Sequence, residues 1–236
     1  MQDEQKGKLH PLTLIMNEAV SIFKDLGFTV EVGPELEDEW HNFDALNVPK
    51  DHPARDMQDT FFLKDKEGFV LRTHTSNIQI RYMEELVKSG DKPPFAIVVP
   101  GKVFRNESTD ATHEMQFHQI ECLMIGEDIS VANLKGVLFE FFKRFFEGEE
   151  VEIRLRPSFF PFVEPGFEID LRRGEKWIEL LGAGMVHPNV LSNCGIDGAQ
   201  YQGFAFGMGL DRLMMMKLGI TDTRYSYQGD LRLNQF

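Results

Sequence analysis

Two stretches of this chain carry residue types that could hold a triphosphate: GKVFRNESTDATHEMQFHQIE, Gly101–Glu121, and GFAFGMGLDRLMM, Gly203–Met215. In the first, Phe104-Arg105-Asn106-Glu107 reads as a strand entering a turn at Ser108-Thr109-Asp110. The return begins at His113-Glu114, and Phe117, Gln119 and Glu121 alternate on one face. The second reads as a small-residue strand, a glycine turn and a helix with Arg212 in its first turn. ATP-driven activation of a carboxylic acid needs in-line attack on the α-phosphate, so the protein must position and neutralise charge. An arginine fork suits the phosphate, an aromatic face suits adenine, and carboxylates suit an ammonium group or a magnesium ion. Gly207-Met208-Gly209 is not a dinucleotide fingerprint: the third glycine and a following strand unit are missing. Gly207 and Gly209 are expected to let backbone approach a ligand.

These residues need elements to hold them. Leu12, Ile15, Ala19, Ile22, Phe23 and Leu26 recur at helical spacing, with Gly27 as a stop. Phe28–Val32 alternates as a strand and ends at Gly33-Pro34. Residues 40–55 contain several turn formers and read as an ordered loop. Phe61–Leu71 reads as a hairpin across Lys64–Gly68. Ser76 is expected to cap a helix over Asn77–Val87. Ala96–Val99 reads as a buried strand, and Ser130 opens an apolar helix to about Phe146. Val151, Ile153 and Leu155 alternate as a strand. The run Phe167–Leu171 pairs with Trp177–Leu181 across Arg173-Gly174. Hairpins dominate and no βαβ rhythm occurs, so the expected class is α+β: an antiparallel sheet flanked by helices, not a doubly wound nucleotide fold.

The 236 residues suit one domain, with 42% hydrophobic residues for a core. No apolar run is long enough to span a membrane, and the opening MQDEQKGKLHP lacks a signal peptide's apolar stretch. Two cysteines, Cys122 and Cys194, form no CxxC pair and read as inert cytosolic thiols. The net charge of −13 disfavours wrapping RNA, because phosphate binding needs clustered Lys and Arg. The 21 phenylalanines against 4 tyrosines include the cluster Phe159-Phe160-Pro161-Phe162.

The two stretches resemble motifs 2 and 3 of class II aminoacyl-tRNA synthetases. Further words narrow the likeness: HNFDALNVPKDHPARD (His41–Asp56), RTHTS (Arg72–Ser76), FFPFVEPG (Phe159–Gly166) and GAGMVHPNV (Gly182–Val190). In order and spacing they resemble the alpha subunits of bacterial-type phenylalanyl-tRNA synthetases, from about Leu9 to Phe236. GFTVEVGPELE (Gly27–Glu37) takes the place of motif 1, an interface segment in this class. The resemblance implies a single class II synthetase catalytic domain over residues 1–236. Its motif 1 lies at about 27–37, motif 2 at about 101–121 and motif 3 at about 203–216.

The resemblance also implies roles. Arg105 would hold the α-phosphate and the reacting carboxylate, Phe117 would stack on adenine, Glu107 and His113 would lie near ATP, and Arg212 would take the γ-phosphate. His74, Ser76, Gln119 and Glu121 would orient the amino acid and hold its ammonium group. Phe160 and Phe162 would meet its ring edge to face, and Val163, Gly182 and Ala205 would shape the pocket. Glu164 matches a magnesium position shared with a beta subunit. The implied activity is ATP- and Mg2+-dependent formation of phenylalanyl-adenylate and transfer to tRNA(Phe). It would take place in the cytoplasm, within a heterotetramer of two alpha and two beta subunits. Alpha subunits of the family carry an N-terminal helical arm that reaches for tRNA, and the acidity is in keeping with an expected lack of that arm here. With no anticodon-binding domain expected after motif 3, a separate beta subunit is expected. Two alternatives stay open: a non-catalytic dimerising core that needs its partner, and a synthetase for another aromatic amino acid.

Overall fold

Alternation along the strands sorts residues onto two faces of one seven-stranded sheet, and this places everything else. The computed structural model describes residues 7–56, 59–231 and 233. Residues 1–6, part of the segment read above for a signal peptide, lie outside the described residues. The strands are β1 (Thr29–Val30), β4 (Phe95–Phe104), β5 (Gln116–Gly126), β6 (Val151–Phe160), β7 (Val163–Arg173), β8 (Lys176–Val186) and β9 (Gln202–Gly209). Their spatial order is β1-β4-β5-β9-β8-β7-β6. The β1–β4 pair is parallel and the others are antiparallel, in keeping with the α+β class. A separate two-stranded ladder joins β2 (Leu36–Asp38) to β3 (Phe69–Leu71).

One sheet face carries Val98, Ile120, Cys122, Phe204, Phe206, Ile169 and Leu171 into the main core. Helices α1 (Pro11–Asp25), α3 (Val131–Phe145) and α5 (Leu210–Leu218) cover it. Phenylalanine is abundant because it fills this layer. The Phe23 ring stacks on Phe141 at 4.5 Å, and Phe141 meets Phe142 edge-on at 5.2 Å. Such ring pairs add roughly 0.5–1.5 kcal/mol beyond area burial. Helix α3 starts as expected, with Ser130 and Asn133 forming a reciprocal capping box. For α1, Pro11 occupies the first turn and the His10 ring accepts the Leu12 N–H.

The opposite face is covered by α2 (Ser76–Ser89), the short α4 (Pro188–Asn193) and residues 40–55. Several expectations change here. Residues 40–55 contain a π-helical turn at Trp40–Asp44 and a 3-10 turn at Pro53–Arg55 rather than only loop. In the expected 61–71 hairpin, Phe62 does bridge to Val70, but the strand proper at β3 pairs with β2. Ser76 is the first helical residue, not the cap. Thr75 takes the cap position, and the Ser76 hydroxyl is bonded to Glu121 instead. No described helix is long and apolar enough to cross a membrane.

Phe141 has no exposed surface, whereas Phe139, two residues earlier on the same helix, is 42% exposed. Phe141→Ala should therefore cost about 3–5 kcal/mol, and Phe139→Ala under about 0.5 kcal/mol. Urea unfolding of the two variants measures the contrast.

Candidate active site

The strand register lines up small residues across the second sheet face. Val99, Glu121, Gly207 and Gly182 form one row across β4, β5, β9 and β8. Ile97, Leu123, Ala205 and Gly184 form the next. Gly207, Gly182 and Ala205 in these rows leave room for a cavity of about 500 Å³, bounded also by α2 and by Leu46, Ala54 and Asp59. Its apolar end is formed by Leu46, Met83, Leu123, Val186 and Val190.

Glu121 is the cavity's buried charge. Its carboxylate accepts the Thr75 N–H at 2.9 Å, the Ser76 hydroxyl at 2.5 Å and a Gln79 amide hydrogen at 3.2 Å. Two of these donors belong to the N-terminus of α2, where the helix dipole favours a negative charge. Burial raises the Glu121 pKa, while those hydrogen bonds and the nearby guanidinium groups of Arg105 and Arg72 oppose the rise. The glycine at position 207 makes the arrangement possible: a Cβ there would stand 2.9 Å from Glu121 Cγ. Gly207, expected to leave room for a ligand, lines the cavity and also makes room for the Glu121 side chain. At Gly209 a Cβ would meet Arg212 Cβ at an ordinary 3.8 Å.

Arg105 leaves the end of β4, donates from Nε to the Thr73 carbonyl at 3.1 Å, and lies 5.1 Å above the Phe117 ring. Desolvation lowers its pKa, with Glu107, Glu121 and Asp59 opposing. No other hydrogen bond of the Arg105 side chain is recorded among the described residues. His74 Nε2 lies 3.0 Å from the Asn42 carbonyl, so Nε2 carries the hydrogen and Nδ1 is an acceptor. Burial first, and the Arg105 charge second, pull the His74 pKa down to about 4. His74 Nδ1 and Gln119 Oε1 are both buried with no hydrogen-bond partner among the described residues.

The fold therefore gathers His74, Ser76, Arg105, Glu107, Gln119, Glu121, Phe160, Phe162, Val163, Gly182 and Ala205 around one cavity. The Phe160 and Phe162 rings lie nearly parallel, with centroids 5.9 Å apart. Gly182 gives Phe160 its place, since a Cβ there would stand 3.0 Å from the ring. Four expected residues do not line the cavity. Phe117 lies beside it under Arg105. Arg212 is exposed in the first turn of α5. His113 is exposed at the motif 2 turn, with Nδ1 3.0 Å from the Asp110 carboxylate. Glu164 is exposed on β7.

Sequence reasoning missed Gln79, Thr75, Asn42, Asp59 and Arg72. Gln79 lies one helical turn after Ser76 and so shares its face, a signal that was present. Asn42 and Asp59 reach the site through loop geometry that no periodicity encodes. Arg72 is buried and donates to the backbone carbonyls of Lys102, Gly33 and Pro34, tying β4 to the segment between β1 and β2. A separate cluster of Glu37, Asp38 and His41 has metal-ligand spacing, but Arg81 and Asn77 already bind Glu37.

The His74 shift fixes a sign. Below about pH 6.5 the unfolded chain takes up a proton at this ring that the folded chain refuses until about pH 4. Stability should fall as pH drops through that window, by up to about 3 kcal/mol from this group alone. His74→Asn should flatten the fall between pH 6.5 and 4, as measured by urea midpoints across pH. An unchanged slope would contradict the assignment.

A family model described as "tRNA synthetases class II core domain (F)" matches residues 1–236. A "Phenylalanine--tRNA ligase alpha subunit" of Rickettsia bellii (strain RML369-C) is 52% identical over 233 residues, 97% of this chain and 65% of that protein. One of the same description from Aromatoleum aromaticum (strain DSM 19018 / LMG 30748 / EbN1) is 50% identical over 242 residues, 98% of this chain and 70% of that protein. The chain thus spans about two thirds of the length of these relatives. A crystal structure of pyrrolysyl-tRNA synthetase from Desulfitobacterium hafniense superposes with a TM-score of 0.73 at 20% identity, covering 93% of this chain and 74% of that one. At that identity the likeness speaks for the fold alone.

Proposed function

Because the chain belongs to the class II tRNA synthetase core-domain family, we propose that its cavity activates L-phenylalanine with ATP and passes the product to tRNA(Phe). The observation that carries the reading is the pairing of a buried carboxylate and amide oxygen with an apolar end. Gln119 Oε1 is a buried acceptor with no recorded partner among the described residues, and the hydrogen-bonded Glu121 carboxylate brings a buried negative charge to the same cavity, which suits an ammonium group. Beyond them, Phe160, Phe162, Val163, Val186 and Ala205 offer space for an uncharged ring. The amino-acid carboxylate then points at Arg105.

One carboxylate oxygen attacks the α-phosphorus of ATP, the bond to the bridging oxygen breaks, and pyrophosphate leaves. Arg105 neutralises charge on the reacting phosphate. Phe117, already under a cation, supplies the adenine face, with Glu107 and His113 on the nucleotide side and Arg212 taking the γ-phosphate end. Magnesium would supply charge neutralisation on the phosphates. Glu164 fits as one hard oxygen donor, being exposed and without a recorded partner among the described residues, and this ion keeps most of its water. A beta subunit is the proposed partner, in keeping with the "alpha subunit" names of the relatives. The cytoplasm is the proposed compartment.

Arg105→Ala and Arg212→Ala should each lower phenylalanine-dependent ATP–pyrophosphate exchange by roughly 10²–10³-fold, with unfolding midpoints close to the parent's. Exchange that survives both substitutions would sink the assignment.

A further inference from the structure

Residues 221–230 have no role in the proposed chemistry, yet they touch both nucleotide-facing motifs. Thr223, 2% exposed, donates its backbone N–H to the carbonyl of Ala111 in the motif 2 turn at 2.9 Å. Four residues later the Tyr227 hydroxyl donates to Asp211 Oδ1 at 2.6 Å. Asp211 directly precedes Arg212 and is 6% exposed. Its other oxygen accepts the His118 N–H at 2.7 Å. His118 stands between Phe117 and Gln119 on the motif 2 return strand, so one buried carboxylate sets the spacing between that strand and the first turn of α5. The Tyr227 hydroxyl holds that carboxylate, and its ring stacks beside His118 with centroids 6.5 Å apart. Burial raises the Asp211 pKa, so the carboxylate needs the donors it has.

The segment is itself stiffened. Asp222 caps the 3-10 turn Thr223–Ser226 by accepting the Arg224 N–H at 3.0 Å, and its carboxylate pairs with the Arg224 guanidinium at 2.6 Å. The motif 2 turn, by contrast, is exposed and bonded largely within itself, with Asp110 accepting the N–H groups of Thr112 and His113.

We propose that Thr223–Tyr227 is a brace that fixes the motif 2 turn and Arg212 relative to each other, with Thr223 and Tyr227 as positioning residues for the nucleotide and not for the amino acid. The inference rests on the proposed function, which assigns the nucleotide to this end of the site.

The test uses the chain together with a bacterial beta subunit. Tyr227→Phe removes the hydroxyl alone. Thr223→Pro removes the N–H at the first residue of the 3-10 turn, after an extended Asp222 (φ −142°, ψ 115°) that tolerates a following proline. Thr223→Ala controls for the lost side chain. In pyrophosphate exchange, Tyr227→Phe and Thr223→Pro should raise the KM for ATP about three- to tenfold, the size of one net hydrogen bond, with the KM for phenylalanine unchanged. Amide hydrogen exchange over residues 106–115 should quicken in both. Unchanged ATP KM and unchanged amide exchange would overturn the brace, and so would equal rises in both KM values with a lowered melting temperature. A parent protein without pyrophosphate exchange would defeat the functional reading instead. Amide exchange over 106–115 would still decide the brace.

Discussion

The buried carboxylate of Glu121 is the constraint on which the site depends. It sits mid-sheet on β5, and its hydrogen-bond donors come from the start of α2. A buried carboxylate without such donors would cost several kcal/mol. The helix must therefore begin at Thr75-Ser76 and lie across the strands at that point. The neighbouring strand must then be bare at Gly207, because any Cβ there would collide with Glu121. One charge thus fixes the α2 position, the small-residue row on β9, and the cavity roof above both.

The same logic explains why the site draws on segments far apart in sequence. Arg72, His74 and Ser76 follow β3 within five residues, yet serve three directions: backbone carbonyls near Gly33, the carbonyl of Asn42, and Glu121. The second sheet face needs glycines and alanine for room, while the first needs bulky rings for stability. Alternation along β9 delivers both, with Phe204 and Phe206 facing the core and Ala205 and Gly207 facing the cavity. On the proposed reading, an acidic chain of net charge −13 would hold a triphosphate through local cations. The two proposed cations, Arg105 in the cavity lining at the end of β4 and Arg212 exposed in the first turn of α5, make no recorded ion pair among the described residues.

Much of this was legible in the sequence, for physical reasons that differ by element. Helices α1 and α3 announced themselves by apolar spacing and caps, and β7–β8 by two alternating runs about a glycine turn. The strand-turn-helix at β9–α5 was readable from its small residues and Arg212. What failed was short or tertiary in origin. Strands β2 and β3 have three residues each, too few for a period, and the π-helical turn at Trp40–Asp44 has no pattern of its own. Ser76 looked like a cap because serine usually is one; its hydroxyl is drawn away by a carboxylate 45 positions later. Most of the expected site residues share the cavity. Arg212, His113 and Glu164, expected from the same words, stand outside it on exposed surface.

The central claim is that this cavity selects phenylalanine for activation. The most direct test is ATP–pyrophosphate exchange with phenylalanine, tyrosine and tryptophan in turn, on the chain alone and with a bacterial beta subunit. The account predicts exchange with phenylalanine in at least one of the two preparations, and a much weaker signal with tyrosine and tryptophan. Absence of exchange with all three in both preparations would contradict it, as would a preference for tyrosine or tryptophan.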